Sequence, residues 1–262
     1  MKNILNIMEL HLYNIEDTEV YDFLDLWKNQ EHTEGILITG SYATQWQNEQ
    51  SDLDIRIILD DSCEQTLKGV YTTEKALKIS YTARSVANTI RLFGVQHKSS
   101  FNFEARNICI GKIFFERTDK VSFLQEESQK IINRPFPEKS KNKLLSEFNS
   151  INTEYTKLMG MNTASPFFKL AYFSFLNNVF QCYSIHLNYE LVFDIAKFEE
   201  VFFNKDYREV NIYKDFPDSK FLKDWISAIS SNVESMKKNA RYLYDNLLKV
   251  SDQDISEFLI QI

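Results

Sequence analysis

The chain has 262 residues, 44% of them hydrophobic and 14% aromatic, which is comfortable for two domains and excludes a disordered polymer. A formal net charge of −7 without a basic stretch argues against a non-specific nucleic-acid binder. Glycine (6) and proline (4) are too scarce for an all-β fold rich in turns, so helices are favoured.

The charge is uneven. Residues 1–61 carry thirteen acids against Lys2, Lys28 and Arg56, so 3 − 13 = −10, which leaves +3 for the rest. Cys63, Cys109 and Cys182 are odd in number and far apart, a pattern that suggests neither a disulfide framework nor a zinc site. The N-terminal "MKNILNIMELHLYN" has an acid and asparagines inside its apolar part, unlike a secretory signal. The most apolar segment, 166–187, is broken by Lys169, Asn177, Asn178 and Gln181, so no membrane span is expected. These features predict a cytoplasmic protein.

In chain order, "IEDTEVYDFLDLWKNQ" sets Val20, Phe23, Leu24 and Trp27 at helical spacing and predicts an amphipathic helix from about residue 16. "GILIT" reads as a buried strand. "SDLDIRIIL" alternates, with Leu53, Ile55 and Ile57 on one face and Asp52, Asp54 and Arg56 on the other. "LKISYTA" (77–83) is a third strand, "RSVANTIRLF" (84–93) a helix, "NICIGKIFFE" (107–116) a strand, and "DKVSFLQEESQKII" (119–132) a helix with Asp119 at its N-cap. "NRPFPEKS", with Pro135 and Pro137, predicts a domain boundary, giving domains 1–135 and 136–262. Beyond it the periodicity is helical: a helix ending at Gly160, one starting at Ser165–Pro166, and one or two helices over 221–250. The predicted fold class is α+β: a mixed β-sheet flanked by helices, then an all-α helical bundle.

Two carboxylates at i and i+2 on a strand project from one face and repel each other. A strand as apolar as "LDIRIIL" is expected to be central, where such a pair needs a counter-ion. Mg²⁺ suits hard oxygen ligands and keeps positions for phosphate oxygens. Upstream, the Gly40–Ser41 turn follows a strand, and such a turn brings backbone N–H groups and a hydroxyl close to a phosphate.

A strand, then Gly-Ser, then about ten residues, then Asp-x-Asp in an apolar strand resembles the nucleotidyltransferases of the DNA-polymerase-beta superfamily. With "GSYATQW…SDLDI" and a helical C-terminal half, the chain is similar to the small bacterial aminoglycoside and lincosamide nucleotidyltransferases. The resemblance implies that Asp52 and Asp54 bind Mg²⁺ and are catalytic. It implies that Gly40 and Ser41 receive the β and γ phosphates of an NTP such as ATP. It also offers Lys169, in the first turn of a helix, as a further contact to the triphosphate; a solvated lysine is the plainer account. Arg56 reads as the salt-bridge partner of an acid.

The family pattern includes a third carboxylate on a following strand, and "ALKISYTA" offers Lys78, Ser80 and Thr82 instead. Three explanations compete. "SFNFEARN" presents Glu104 as the third acid, alternating with Phe101 and Phe103. Or a second subunit of a homodimer, or the helical half with Glu154, supplies it. Or the site has lost activity and the chain is a nucleotide-binding or antitoxin-like regulatory module. The expected activity is Mg²⁺-dependent transfer of an NMP group to a hydroxyl of a small molecule or protein held between the acidic face and the helical half. His11, His32, His97 and His186 lack metal-ligand spacing and read as structural. The aromatic residues of 167–183 (Phe167, Phe168, Tyr172, Phe173, Phe175, Phe180 and Tyr183) read as bundle core.

Overall fold

A computed structural model describes Ile15 and residues 17–251 of the chain. The chain folds as two compact units. Of the described residues, the first holds those up to Pro135 together with Asp194–Lys214, and the second holds Phe136–Phe193 and residues 215–251. The segment 194–214 therefore returns to the first unit, an excursion that the Pro135–Pro137 punctuation does not signal.

In the first unit, α1 (Thr18–Lys28) is capped by Asp17, whose carboxylate accepts from the Glu19 N–H at 3.1 Å. It is followed by β1 (Thr33–Thr39), a one-turn helix α2 (Gly40–Thr44), β2 (Leu53–Leu59), β3 (Leu67–Thr72) and β4 (Lys78–Ser85). Then come α3 (Val86–Lys98), α4 (Phe103–Ile110), β5 (Lys112–Glu116) and α5 (Lys120–Asn133). The five strands form one mixed sheet in the order β3-β4-β2-β1-β5. β2 and β4 are parallel, and the other neighbours are antiparallel.

β1 and β2 are central and covered on both faces. One face carries Ile36, Ile38, Leu53, Ile55, Ile57 and Ile79 into a core with Val20, Phe23 and Leu24 of α1. The other carries Leu37 and Ile58 into a core with Phe93 of α3, Ala105 and Ile108 of α4, and Val121 and Leu124 of α5. Each such aliphatic side chain contributes about 1.5–3 kcal/mol by leaving water, so the sheet is held from both sides. This double burial explains why β1 reads as a continuous apolar run and not as an alternation.

Two predicted elements are corrected here. Residues 103–110 are helical, so the expected strand over 107–116 is only its second half, and the Phe101–Phe103–Glu104 alternation is not a strand. β3 falls outside the predicted elements; it is an edge strand with little buried side chain.

The returning segment adds a 3-10 turn (Ile195–Lys197), α8 (Phe198–Phe203) and α9 (Lys205–Val210). Arg106 of α4 anchors it: its Nη1 donates to the carbonyls of Asn211 at 2.9 Å and Ile212 at 2.6 Å. Its guanidinium also lies 3.7 Å from the Tyr213 ring centroid. Tyr207 meets Trp46 edge-on at 5.3 Å.

The second unit consists of α6 (Lys141–Gly160), α7 (Phe168–His186), α10 (Ser219–Ile229) and α11 (Val233–Ser251). Phe168, Tyr172, Phe175, Phe180 and Tyr183 of α7 are buried, while Phe167 and Phe173 are exposed. Trp225 Nε1 donates to the Leu176 carbonyl at 2.8 Å, and the Tyr172 hydroxyl to that of Ala228 at 2.9 Å, so the polar tips of the aromatic core are satisfied. α7 begins at Phe168, with Phe167 at the cap position, two residues later than the Ser165–Pro166 signal suggests. Among the described residues, no helix is long and apolar enough to cross a membrane.

Candidate functional site

The candidate site lies where β1 ends and β2 begins. Thr39 and Asp54 face each other across the two strands, and the Thr39 hydroxyl donates to the Asp54 carbonyl at 3.2 Å. The chain then turns at Gly40, whose φ is +65°. A Cβ there would stand 3.2 Å from Asp54 Cγ and nearer still to Oδ2. Gly40 thus meets two demands: a left-handed backbone, and a main chain pressed against a carboxylate. The turn is then secured by the Thr44 hydroxyl and the Trp46 N–H, which both donate to the Ser41 carbonyl, at 3.3 and 2.9 Å.

Asp52 is delivered by a tight loop. The Asn48 N–H donates to Ser51 Oγ at 2.9 Å, and the Gln50 N–H to Asn48 Oδ1 at 2.9 Å. Asp52 reaches the neighbouring strand: Lys78 Nζ lies 2.7 Å and Ser80 Oγ 3.2 Å from its Oδ2. Ser80 stands opposite Asp54 in the β2–β4 register. The position from which a third acid would approach the pair is therefore held by Ser80 and Lys78.

Asp54 differs from Asp52 in its surroundings. No hydrogen bond or ion pair from a described residue reaches its carboxylate. Desolvation raises its pKa above the usual aspartate range; nearby Arg56 opposes this, and the charges of Asp52 and Glu104 add to it. A half-buried carboxylate without a protein donor is partly desolvated, and a cation arriving there would offset that cost.

Glu104 does not offer a free carboxylate. It sits on α4 and binds two guanidinium groups: Arg56 Nε at 3.1 Å and 3.3 Å from its two oxygens, and Arg84 Nη1 at 3.0 Å. All three side chains are buried, at 8%, 7% and 10% exposure for Arg56, Glu104 and Arg84. Glu104, one of the three explanations offered for the third acid, is a buried ion-pair partner, because α4 packs on the face of the sheet that carries Arg56 and Arg84. Arg84 is a member of this cluster that the sequence reading did not single out. Its place follows from alternation along β4 past Ser80 and Thr82.

Lys169 is exposed in the first turn of α7, in the second unit. Glu154, in the same unit, accepts from Asn178 Nδ2 at 3.0 and 2.9 Å. His97 is buried beside Asn102 Oδ1 at 3.1 Å, and burial lowers the pKa of His186. His11 falls outside the described residues.

No protein-family model matches the chain. No curated protein matches it. Among solved structures it is similar to a nucleotidyltransferase-like protein from Exiguobacterium sibiricum 255-15, at 14% identity and a TM-score of 0.43. The match covers 86% of this chain and 71% of that one. A likeness of this degree speaks to neither activity nor substrate.

Proposed function

We propose that the Gly40–Ser41 turn and the Asp52–Asp54 pair form a nucleotidyltransferase site that takes a Mg²⁺-bound nucleoside triphosphate, such as ATP. The observation that carries this reading is Asp54: a half-buried carboxylate without a donor among the described residues, pressed against a left-handed glycine turn. Its raised pKa is the cost of keeping an anion there, and a hard dication shared with half-exposed Asp52 relieves that cost. Bound Mg²⁺ would supply charge neutralisation for the triphosphate oxygens. The Gly40 and Ser41 backbone and the Ser41 hydroxyl would receive phosphate oxygens.

In the proposed reaction an acceptor hydroxyl oxygen attacks the α-phosphorus. The bond to the α,β-bridging oxygen breaks, pyrophosphate leaves, and the hydroxyl proton passes to solvent. The acceptor is a small molecule or a protein side chain. Three basic side chains (Lys78, Arg56, Arg84) balance three acidic ones (Asp52, Asp54, Glu104) around the pair. That balance suits one dication arriving with the nucleotide better than two resident ones.

A second reading is favoured by Lys78. Its ammonium already neutralises Asp52, and among the described residues of the first unit no free third acid stands by the pair to add the general-base contribution, worth about 10²–10⁴-fold in rate. In that reading the chain binds the nucleotide as a regulatory module and turns it over poorly.

Calorimetry of ATP with and without Mg²⁺ tests the shared premise. Binding should depend on Mg²⁺ and collapse in Asp52→Asn/Asp54→Asn; unchanged binding in that variant would remove both readings. Release of pyrophosphate in the presence of candidate acceptors then separates enzyme from module.

A further inference from the structure

We propose a second, separate metal site at the opposite end of the same two strands, formed by His32, Asp60 and Cys63 and suited to a borderline-soft dication such as Zn²⁺. A nitrogen, an oxygen and a sulfur ligand atom from these three residues all lie within 4.8 Å of one another. The set is mixed in the way that a zinc-class ion accepts and Mg²⁺ does not.

The backbone brings the three residues together. His32 immediately precedes β1, and Asp60 immediately follows β2. The Asp60 N–H donates to the His32 carbonyl at 2.9 Å, extending the antiparallel ladder by one step. A turn then closes from the Cys63 N–H to the Asp60 carbonyl at 3.2 Å, so the carboxylate and the thiol sit three residues apart on one tight loop. Cys63 is partly buried and packs against the core under α1, which fixes its sulfur. His32 Nδ1 stands 2.8 Å from Asp60 Oδ2. β1 separates this cluster from Asp54 by roughly 20 Å of strand.

The surrounding field favours a cation. Glu31 acts on His32, and Asp60 on Glu34; Asp61 adds to the field at Lys120. Lys120 is engaged with Glu34 at 2.8 Å. On binding, the thiol proton of Cys63 passes to solvent, and His32 frees Nδ1 by losing the proton there to solvent from the imidazolium or by carrying its one proton on Nε2 in the neutral ring, so that the three atoms become ligands. Water takes the fourth position of a tetrahedral ion.

The test uses the full chain, free of any purification tag, titrated with Co²⁺ as a spectroscopic stand-in and with Zn²⁺ as competitor. One equivalent of Co²⁺ should give a thiolate-to-cobalt charge-transfer band that Zn²⁺ removes. Cys63→Ser should abolish the band, and His32→Ala should weaken affinity by about tenfold or more. Both substitutions are mild for the fold, since His32 is exposed and serine nearly matches cysteine in size. Cys109→Ser and Asp52→Asn/Asp54→Asn should leave the band in place. The proposal is overturned by a wild-type chain without the band, by a band that survives Cys63→Ser or is indifferent to His32→Ala, or by loss of the band in either control variant.

Discussion

Lys78 Nζ lies 2.7 Å from Asp52 Oδ2, so a lysine holds one member of the carboxylate pair, and no ion pair among the described residues holds the other. The side chains of this lysine–aspartate ion pair are both solvent-accessible, Lys78 at 49% and Asp52 at 34% exposure. An ion pair of that kind contributes no more than about 1 kcal/mol. A dication bound also by Asp54 can therefore displace the lysine.

It follows that Lys78→Ala should barely change thermal stability and should tighten Mg²⁺ binding in the presence of ATP by several-fold, because a competing cation is gone. Lys78→Glu should go further and place an acid beside the pair, raising pyrophosphate release. Calorimetric Mg²⁺ titrations check the first outcome. Weaker Mg²⁺-ATP binding in Lys78→Ala would mean that the lysine serves the triphosphate and does not compete with the metal.

Asp54 gives a pH prediction. Burial raises its folded-state pKa above the ordinary aspartate value of 3.8, so the folded state holds its proton more tightly than the unfolded state does. Stability from this group is present below the ordinary pKa and is lost as pH rises through the raised one. At neutral pH the ionised carboxylate is therefore a liability in the metal-free protein. Asp54→Asn should raise the melting temperature at pH 7 and change little at acid pH. Added Mg²⁺ and ATP should stabilise wild type more than the variant. Equal melting temperatures at pH 7 would mean that the carboxylate is already compensated.

How far the sequence discloses this molecule depends on the range of the forces involved. β1, β2 and β4 are legible because a buried sheet imposes apolar runs or alternation over adjacent residues. The Gly40–Ser41 and Asp52–Asp54 spacing is legible for the same reason, since one strand, one turn and one loop set it. β3 is not, because "LKGVYT" lies at an edge with little buried side chain, and its Gly69 answers to the Tyr81 ring of β4, which occupies the space a Cβ would need. The role of Glu104 is not legible either. Its partners come from 48 and 20 residues away, and a local alternation of Phe101 and Phe103 mimics a strand. His32, Asp60 and Cys63 likewise meet only through the pairing of β1 with β2.

Gly40→Ala should separate folding from binding. A left-handed φ costs a residue with a Cβ about 1–2 kcal/mol, and the clash with Asp54 adds to it. Denaturant unfolding should show a moderate loss of stability. ATP binding should fall by a larger factor, because Asp54 must move away from the turn to make room. If ATP affinity is retained at wild-type level, the turn and the carboxylate do not act on one ligand.

Glu104 decides whether the face beneath the pair is structural or catalytic. Its carboxylate is the buried counter-charge of both Arg56 and Arg84. Removing one partner from a buried ion cluster leaves uncompensated charge and typically costs about 3–5 kcal/mol. Here two guanidinium groups would lose their anion. Glu104→Gln should therefore lower the unfolding free energy in urea by about 3 kcal/mol or more. Replacing the whole cluster, as Arg56→Met/Arg84→Met/Glu104→Leu, should recover much of that loss, since no buried charge remains. A catalytic acid would behave in the opposite way: Glu104→Gln would leave stability near wild type and lower pyrophosphate release by about 10²-fold or more. Urea unfolding and turnover measured on the same preparations distinguish the two, and a stable but inactive Glu104→Gln would return this residue to the chemistry of the Asp52–Asp54 site.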